Sequence, residues 1–225
     1  MLDVLCKKSI YGIDAAKDPM LARIARINMY LHGDGGSQIY MGDALNTSID
    51  KTDSKEFQEE MEDMKDVFVD ESFDVVITNP PFSMQYNAND EEQEKVLQQY
   101  ELAVKDNKWR TLRAGVMFIE RYYKLLRKGG KLITVIDNTI LNSSDYSFVR
   151  DYIRKHFIIK AVISLHGDAF QQSKARVKTS LIYLIKKMND SEIQPDVFMD
   201  FSVALGVDDK PVTTSQTVIE NASIL

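Results

Sequence analysis

Residues Asn79-Pro80-Pro81-Phe82 place an amide, two rigid rings and an aromatic ring directly after an apolar run. An exocyclic amine on a nucleobase is a poor nucleophile, because its lone pair is delocalised into the ring. The Asn79 side-chain oxygen and the Pro80 carbonyl can each accept one N–H of such an amine, and Phe82 can stack on a base pulled out of a duplex. The motif therefore predicts a site that activates an amine by positioning, without a strong base. A turn that merely ends a strand is the structural alternative.

Two acids follow short β-rich runs earlier in the chain. Asp14 closes the run 9–14, and Asp43 follows the run 38–41. A carboxylate at a strand end commonly accepts from the ribose hydroxyls of a nucleoside cofactor, and a second one can accept from an adenine amino group. A helix cap for Asp14 and a turn residue for Asp43 are the alternatives. The order acid, then Gly-Asp, then Asn-Pro-Pro-Phe favours the binding interpretation of both.

The elements that must position these residues alternate between β-rich runs and amphipathic helices. The runs predicted as strands are 9–14, 38–41, 72–78, 131–136, 158–165, 180–185 and 197–201. The predicted helices open at Asp18-Pro19, lie near 57–64, span 111–127 and follow Ser144 or Asp145. Residues 83–108 are polar and predict a mobile loop with a short helix. This alternation is typical of an α/β sheet, mostly parallel, whose strand ends would bring Asp14, Asp43 and Asn79 to one crevice.

Composition narrows the class of protein. The 225 residues are 44% hydrophobic and 28% charged, as in ordinary soluble globular proteins. Cys6 is the single cysteine, and the histidines lack cysteine neighbours, so the sequence predicts no disulfide and no metal site. No apolar run reaches the length of a membrane helix, and a cytoplasmic protein is expected. The formal net charge of -6 indicates that, if the partner is DNA, a second chain supplies most of the contacts that bind it.

These residues together resemble a known family. The matching stretches are Tyr11 to Asp14, Ala25 to Gly33, Gly42 to Leu45, Phe73 to Ser83, Leu126 to Ile136 and Val162 to Lys186. In them the chain is similar to the modification subunit of type I restriction–modification systems, an adenine-N6 DNA methyltransferase that uses S-adenosylmethionine. Asn-Pro-Pro also occurs in guanine-N2 and glutamine methyltransferases, usually with tyrosine next.

The resemblance implies roles for particular positions. Asp14 is similar to the ribose-binding acid and Asp43 to the residue near the cofactor adenine. Asn79 and the residues up to Phe82, including Pro80 and Pro81, are similar to the target-amine site, with Asn79 also beside the cofactor. The implied fold is a Rossmann-like methyltransferase sheet. The implied partners are double-stranded DNA, a specificity subunit, a restriction subunit and a second modification subunit.

The sequence departs from the family pattern in two places. The family carries a glycine-rich cofactor loop of the Asp-Pro-Ala-Cys-Gly-Ser-Gly type on a strand upstream of Tyr11, and residues 1–8 do not supply it. His166 stands where the family usually has proline. We therefore expect a fragment lacking the first strand and that loop: a truncated catalytic domain at 1–189 and a C-terminal extension at 190–225. A non-catalytic remnant that binds or scaffolds, and a methyltransferase acting on RNA or protein glutamine, are the alternatives.

Overall fold

The computed structural model describes residues 9–14, 20–46, 55–167, 169–170, 177–202 and 216–218. The chain divides into two compact units, residues 1–69 and residues 70–225. Among the described helices, none combines the length and apolar character that a membrane span requires. The helix opening predicted at Asp18-Pro19 lies outside the described residues, and the domain boundary predicted after residue 189 stays a prediction.

The first unit contains two strands and two helices. They are β1 (Tyr11–Asp14), α1 (Met20–Leu31), β2 (Gln38–Met41) and α2 (Lys55–Val67). Strands β1 and β2 pair in parallel, with Gly12 opposite Ile39 and Asp14 opposite Met41. A side chain at Gly12 would come within 2.8 Å of Ile39 Cδ1, so the glycine leaves room for the isoleucine. Because the strands are parallel, both carboxyl ends lie at the same edge of this pair.

A small aromatic core holds the first unit together. Tyr40 and Met64 are buried, and Phe68 packs against them. The Phe68 ring meets Tyr11 and Tyr40 edge to face, with centroids 6.5 Å and 5.8 Å apart. Such aromatic pairs add about 0.5–1.5 kcal/mol beyond the area they bury. This packing fixes the two parallel strands and hence the two acids that follow them.

The second unit carries most of the described secondary structure. Its strands are β3 (Phe73–Thr78), β4 (Gln85–Tyr86), β5 (Val104–Lys105), β6 (Lys108–Trp109), β7 (Leu112–Arg113), β8 (Leu126–Asp137), β9 (Phe157–Ser164), β10 (Thr179–Lys186), β11 (Phe198–Phe201) and β12 (Gln216–Val218). Its α-helices are α3 (Glu91–Leu97), α4 (Ala114–Leu125), α5 (Asn138–Asn142) and α6 (Ser147–His156). Single 3₁₀ turns cover Glu101–Ala103 and Ser144–Tyr146.

Six strands of the second unit form one mixed sheet in the order β12-β11-β9-β10-β8-β3. Strand β3 is parallel to β8 and β11 is parallel to β9, whereas β10 is antiparallel to both of its neighbours. Strand β12 is antiparallel to β11. The strands β3, β8, β9 and β11 therefore run in one direction, and β10 and β12 run in the other. The predicted α/β class is confirmed, with a sheet that is mixed.

The core of this unit lies against strands β8, β9 and β10. Along β10 every second residue is buried, including Ile182 and Leu184, as expected for a strand with one face more deeply covered than the other. Helix α4 buries most of its length, with Val116 and Met117 fully buried. Full burial of a side chain of this size stabilises the fold by about 1.5–3 kcal/mol. This packing holds β8 in place, and β8 pairs with β3.

Element boundaries differ from the sequence predictions around residues 111–131. Helix α4 begins at Ala114, after Leu112 and Arg113 pair with β4. Strand β8 begins at Leu126, although the sequence predicted a helix over 111–127 and a strand only over 131–136. Gly129 has φ +73°, and a side chain on Gly130 would lie 2.8 Å from the Arg127 carbonyl oxygen. The two glycines thus allow an irregular passage within the strand, where the pairing with β3 shifts register.

The polar segment 83–108 is more ordered than the predicted loop with a short helix. Helix α3 is capped by Asp90, whose carboxylate accepts the N–H groups of Glu92 and Gln93. Strands β5 and β6 form a hairpin whose turn residues, Asp106 and Asn107, have φ 51° and 59°. Asparagine and aspartate tolerate this left-handed conformation better than other side chains. Strands β4 and β7 close the segment as an antiparallel pair.

Candidate functional site

The Asn-Pro-Pro-Phe motif lies directly after β3, as predicted. Strand pairing stops there because the prolines have no N–H to donate. Asn79 and Pro81 are exposed, Pro80 is buried and Phe82 is half-buried. Within the described residues the Asn79 side chain forms no hydrogen bond. Its amide oxygen can therefore accept from an incoming group without first breaking a contact in this unit.

A hydrogen bond behind the motif fixes the end of β3. Thr78 precedes Asn79 and pairs with Thr134 of β8. The Thr78 hydroxyl lies 2.7 Å from the Tyr122 hydroxyl, which comes from α4. Burial raises the pKa of Tyr122 well above its ordinary value, although hydrogen bonds with Thr78 and Thr134 oppose that rise. Tyr122 is therefore a neutral tether that holds the strand end in place.

A narrow pocket with a cavity volume of about 10 Å³, close to that of one water-sized sphere, opens beside the motif. Its lining comes from the motif, the start of α4, the end of β8 and α5: Pro80, Pro81, Phe82, Arg113, Gly115, Ile119, Thr134, Val135, Ile136, Asp137 and Ile140. Most of these side chains are apolar, and the charged ones are Arg113 and Asp137. The lining presents a mostly apolar surface beside the motif, against which a flat ring can pack.

Phe82 meets a second aromatic ring that sequence reasoning missed. The centroids of Phe82 and Phe170 are 5.2 Å apart, and the ring planes stand at 70°. This edge contact orients Phe82 without covering it by a parallel ring. Phe170 lies in the segment after β9, far from the motif in sequence, and no periodic pattern marks it.

An ion pair closes the polar side of the pocket. Arg113 Nη1 donates to Asp137 Oδ2 at 2.8 Å, and the other carboxylate oxygen accepts from the Thr139 N–H at 2.8 Å. Asp137 thereby caps α5 and holds Arg113 at once. The sequence analysis did not single out either residue. A signal was present for Asp137, because it follows an apolar strand in the same way as Asp14 follows β1.

The two acids of the first unit lie at neighbouring strand ends, as predicted. Asp14 ends β1, and its backbone carbonyl accepts from the Gly42 N–H at 3.1 Å. The Asp43 carboxylate accepts from the Leu45 N–H at 2.9 Å, which is a turn contact. The crevice predicted to join these acids to Asn79 involves both units and stays a prediction.

The part of the chain that the structure describes contains no group of three or more histidine, cysteine, aspartate or glutamate residues suited to hold a metal ion.

Solved structures with a similar fold come from methyltransferase systems. A chain from a type I restriction–modification complex, studied for assembly and conformational transition, has a TM-score of 0.62 at 20% identity. A modification subunit of a putative type I restriction enzyme from Vibrio vulnificus has a TM-score of 0.60 at 17% identity. A putative class I S-adenosylmethionine-dependent methyltransferase from Listeria monocytogenes has a TM-score of 0.54 at 20% identity.

The alignments cover 92%, 93% and 92% of this chain, respectively. They cover 36%, 38% and 62% of the other chains, so this chain spans less than two thirds of their length. The TM-scores establish that this chain shares the α/β fold of these methyltransferase structures.

Comparison of the sequence with family profiles identifies the family of this chain. A search of curated proteins gives no match. The profile of the N-6 DNA methylases matches residues 4–217, which include Asp14, Asp43 and the Asn79 motif. The resemblance noted from the sequence is thereby confirmed at the level of the family. The chain belongs to the N-6 DNA methylase family.

Proposed function

We propose that this chain is part of a DNA adenine-N6 methyltransferase of a restriction–modification system, with S-adenosylmethionine as methyl donor. The observation that carries the proposal is the position of the Asn-Pro-Pro-Phe motif: Asn79 directly follows β3, and the next three residues, Pro80 to Phe82, line a largely apolar pocket. Membership of the N-6 DNA methylase family supports the same reaction.

In this mechanism two acceptors prepare the target amine. The Asn79 side-chain oxygen and the Pro80 backbone carbonyl each accept one N–H of the adenine amino group. These bonds favour a tetrahedral nitrogen, whose lone pair is no longer delocalised into the ring. Pro80 is buried, and its ring and that of Pro81 fix the backbone. Catalysis then rests on positioning and on acceptors aimed where positive charge develops.

The pocket would receive the base after it leaves the duplex. Extrusion of a base costs a few kcal/mol, which stacking and hydrogen bonds in the pocket must offset. Phe82 supplies a ring face for stacking, and its edge contact with Phe170 sets the ring orientation. The apolar lining contributed by Ile119 and Ile140 excludes water from the reacting nitrogen.

The acids of the first unit suit the nucleoside half of the cofactor. S-adenosylmethionine, when bound, supplies an electrophilic methyl group. Asp14 would accept from its ribose hydroxyls and Asp43 from its adenine amino group, with Asn79 beside it. The fit rests on two half-buried carboxylates at the same edge of a parallel strand pair. Both are acceptors, which the donor groups of a nucleoside require.

We infer the binding partners of this chain from its net charge and from the similar solved structures. With a formal net charge of -6, the chain lacks the basic excess that DNA-binding proteins use for phosphate contacts. We propose that double-stranded DNA is held jointly with a specificity subunit and a second modification subunit, and that a restriction subunit completes the system. The similarity to a chain from a type I restriction–modification complex supports this assembly.

Methyl transfer from tritiated S-adenosylmethionine tests the proposal in the protein assembled with these partners. Label should enter duplex DNA at adenine N6, and not RNA or a glutamine peptide. Asn79→Ala should lower transfer by at least about a hundredfold, the size seen when one preorganised polar contact is lost, while cofactor affinity stays within about threefold. Asn89→Ala, at an exposed asparagine in the same unit, is the matched control. Transfer retained in Asn79→Ala, or absent from DNA altogether, contradicts the proposal.

A further inference from the structure

Arg113 occupies a position that the mechanism above does not use. It ends β7, opposite Gln85 of β4, and β4 begins three residues after Phe82. The next residue, Ala114, begins α4 and donates its N–H to the Met84 carbonyl at 2.9 Å. The backbone of Arg113 is thus tied to the chain that leaves the motif.

The guanidinium group stands at the rim of the pocket. The Arg113 side chain is 33% exposed, whereas its partner Asp137 is 9% exposed. The guanidinium carbon lies 5.9 Å from the centre of the Tyr146 ring, at the outer limit of a cation–π contact. Asp137 and Tyr146 together orient the planar guanidinium group of Arg113, and the outer edge of that group is exposed to solvent.

Only part of the donor capacity of Arg113 is used. Arginine carries five N–H donors in a fixed plane. Among the described residues the Arg113 side chain has one hydrogen-bond partner, Asp137 Oδ2. Both Asp137 oxygens are engaged, one by Arg113 and one by the Thr139 N–H, so Arg113 shields the rim from the negative charge of that carboxylate. The remaining N–H groups form a cationic edge beside a mostly apolar pocket.

We propose that Arg113 binds a backbone phosphate of the extruded nucleotide, while the base occupies the pocket beside Phe82. The inference rests on the proposed function, because a base in the pocket brings its own phosphates to the rim. Each nucleotide in a strand has one phosphate on the 5′ side and one on the 3′ side. The arginine fork matches two phosphate oxygens, and such charge-assisted bonds are roughly twice as strong as neutral ones.

A purely structural role for the Arg113–Asp137 pair makes a different prediction. If the pair only joined β7 to the end of β8, loss of Arg113 would weaken binding of a nucleoside and of a nucleotide by the same factor. If Arg113 instead binds a phosphate, loss of Arg113 weakens binding of the nucleotide and leaves binding of the nucleoside unchanged. The difference between the two ligands therefore separates the two roles.

The probes are deoxyadenosine, its 5′-monophosphate and its 3′-monophosphate. Their dissociation constants are measured by saturation-transfer NMR with the full chain, in the presence of excess S-adenosylhomocysteine, which competes for the proposed cofactor site. One monophosphate should bind about tenfold more tightly than the nucleoside, as one charge-assisted contact predicts. The better of the two monophosphates identifies the flanking phosphate that Arg113 holds.

Three variants complete the test. Arg113→Ala should remove the preference for the monophosphate and leave deoxyadenosine affinity within about twofold. Arg113→Lys, which keeps the charge but not the fork, should retain part of the preference and guards against a folding defect in the alanine variant. Lys108→Ala, at an exposed cation on β6, should leave the preference unchanged.

The outcomes separate this inference from the proposed function. A preference that survives Arg113→Ala, or no preference in the unaltered chain, overturns the phosphate contact while the proposed function stands. Deoxyadenosine binding that Phe82→Ala leaves unchanged would show that the base is not in this pocket. That result, or no nucleoside binding at all, overturns both.

Discussion

At the scale of single residues, Phe82 carries the stacking part of the proposed site. Phe82→Ala should lower kcat/KM for DNA. The expected loss corresponds to about 1–3 kcal/mol of stacking free energy, the range found when a stacking ring is removed. Phe82→Tyr keeps the ring and should retain most of the activity. Steady-state kinetics on both variants provide the measurement. Equal losses in the two variants would show that the ring face is not what matters.

His156 provides a residue-scale prediction about pH. Its ring lies between Tyr123 and Tyr152, with both centroids 4.4 Å away, and its Nε2 has no hydrogen-bond partner in the described structure. Burial lowers the pKa of His156 below its ordinary 6.5, and nearby Lys155, Lys186 and Lys187 lower it further, against an opposing effect of Asp190. The unfolded chain therefore binds this proton more readily than the folded chain.

Stability from this histidine is full above about pH 6.5 and is lost as pH falls from there toward the folded pKa. Urea unfolding at about pH 7.5 and about pH 5.5 should show a larger loss for the unaltered protein than for His156→Phe. The Glu71 carboxyl, whose pKa is lowered by Lys186 from 4.5, titrates below this window. An equal loss in both proteins would mean that His156 is not the titrating group.

The sequence predicted some of the site residues and not others, for physical reasons. Asn79 was found because its motif is contiguous and the prolines mark the end of a strand. Arg113 was missed because it reaches the pocket only through tertiary pairing, and Phe170 because it reaches Phe82 only through a tertiary contact. Arg113 depends on a two-residue strand pairing with β4, and Phe170 on the course of the chain after β9. Neither pairing leaves a periodic signal in the sequence.

At the scale of elements, Lys186 joins β10 to the end of α4. Its side chain is 4% exposed, and its ammonium donates to Glu71 at 3.0 Å and to the carbonyls of Tyr123 and Leu126 at 2.8 Å and 2.7 Å. The same ammonium lies 4.2 Å from the centre of the Tyr123 ring. This buried ammonium therefore donates to carbonyls at and just after the end of α4, where a helix leaves carbonyl groups to be satisfied.

Lys186→Met should therefore destabilise the fold by about 2–3 kcal/mol, because it leaves these buried carbonyls without donors. The adjacent Lys187 makes a single ammonium contact, to the Arg154 carbonyl at 2.9 Å. Lys187→Met should cost less than about 1 kcal/mol. Urea unfolding at neutral pH compares the two, and similar costs for both would contradict the role given to Lys186.

Element types were easier to predict from the sequence than element limits. Strand β3 was predicted as 72–78 and spans 73–78, because the continuous run of β-branched residues from Val75 to Thr78 marks a strand. Strand β8 begins before its predicted start because Gly129-Gly130 allows an irregular strand as readily as a helix end. The strand pairs β4–β7 and β5–β6 were not predicted, since two-residue strands have no period to detect.

At the scale of the whole molecule, charge sets the expectation for DNA binding. With a net charge of -6, the chain alone should bind duplex DNA with a dissociation constant of about 10 µM or weaker at physiological salt, and without sequence preference. Addition of a specificity subunit should create tight, sequence-dependent binding. Gel-shift titration with and without that subunit checks this, and tight site-specific binding by the chain alone would contradict it.

The strand order has a consequence for how the protein is made. Strand β10 lies between β8 and β9, although it follows both in the chain. During translation, the edges of β8 and β9 that face β10 therefore keep unpaired backbone N–H and C=O groups until residues 179–186 emerge. The end of β10 follows the end of β9 by 22 residues, which takes about 1–4 seconds at ordinary translation rates. In that interval the nascent chain is most exposed to wrong pairing with a neighbouring copy.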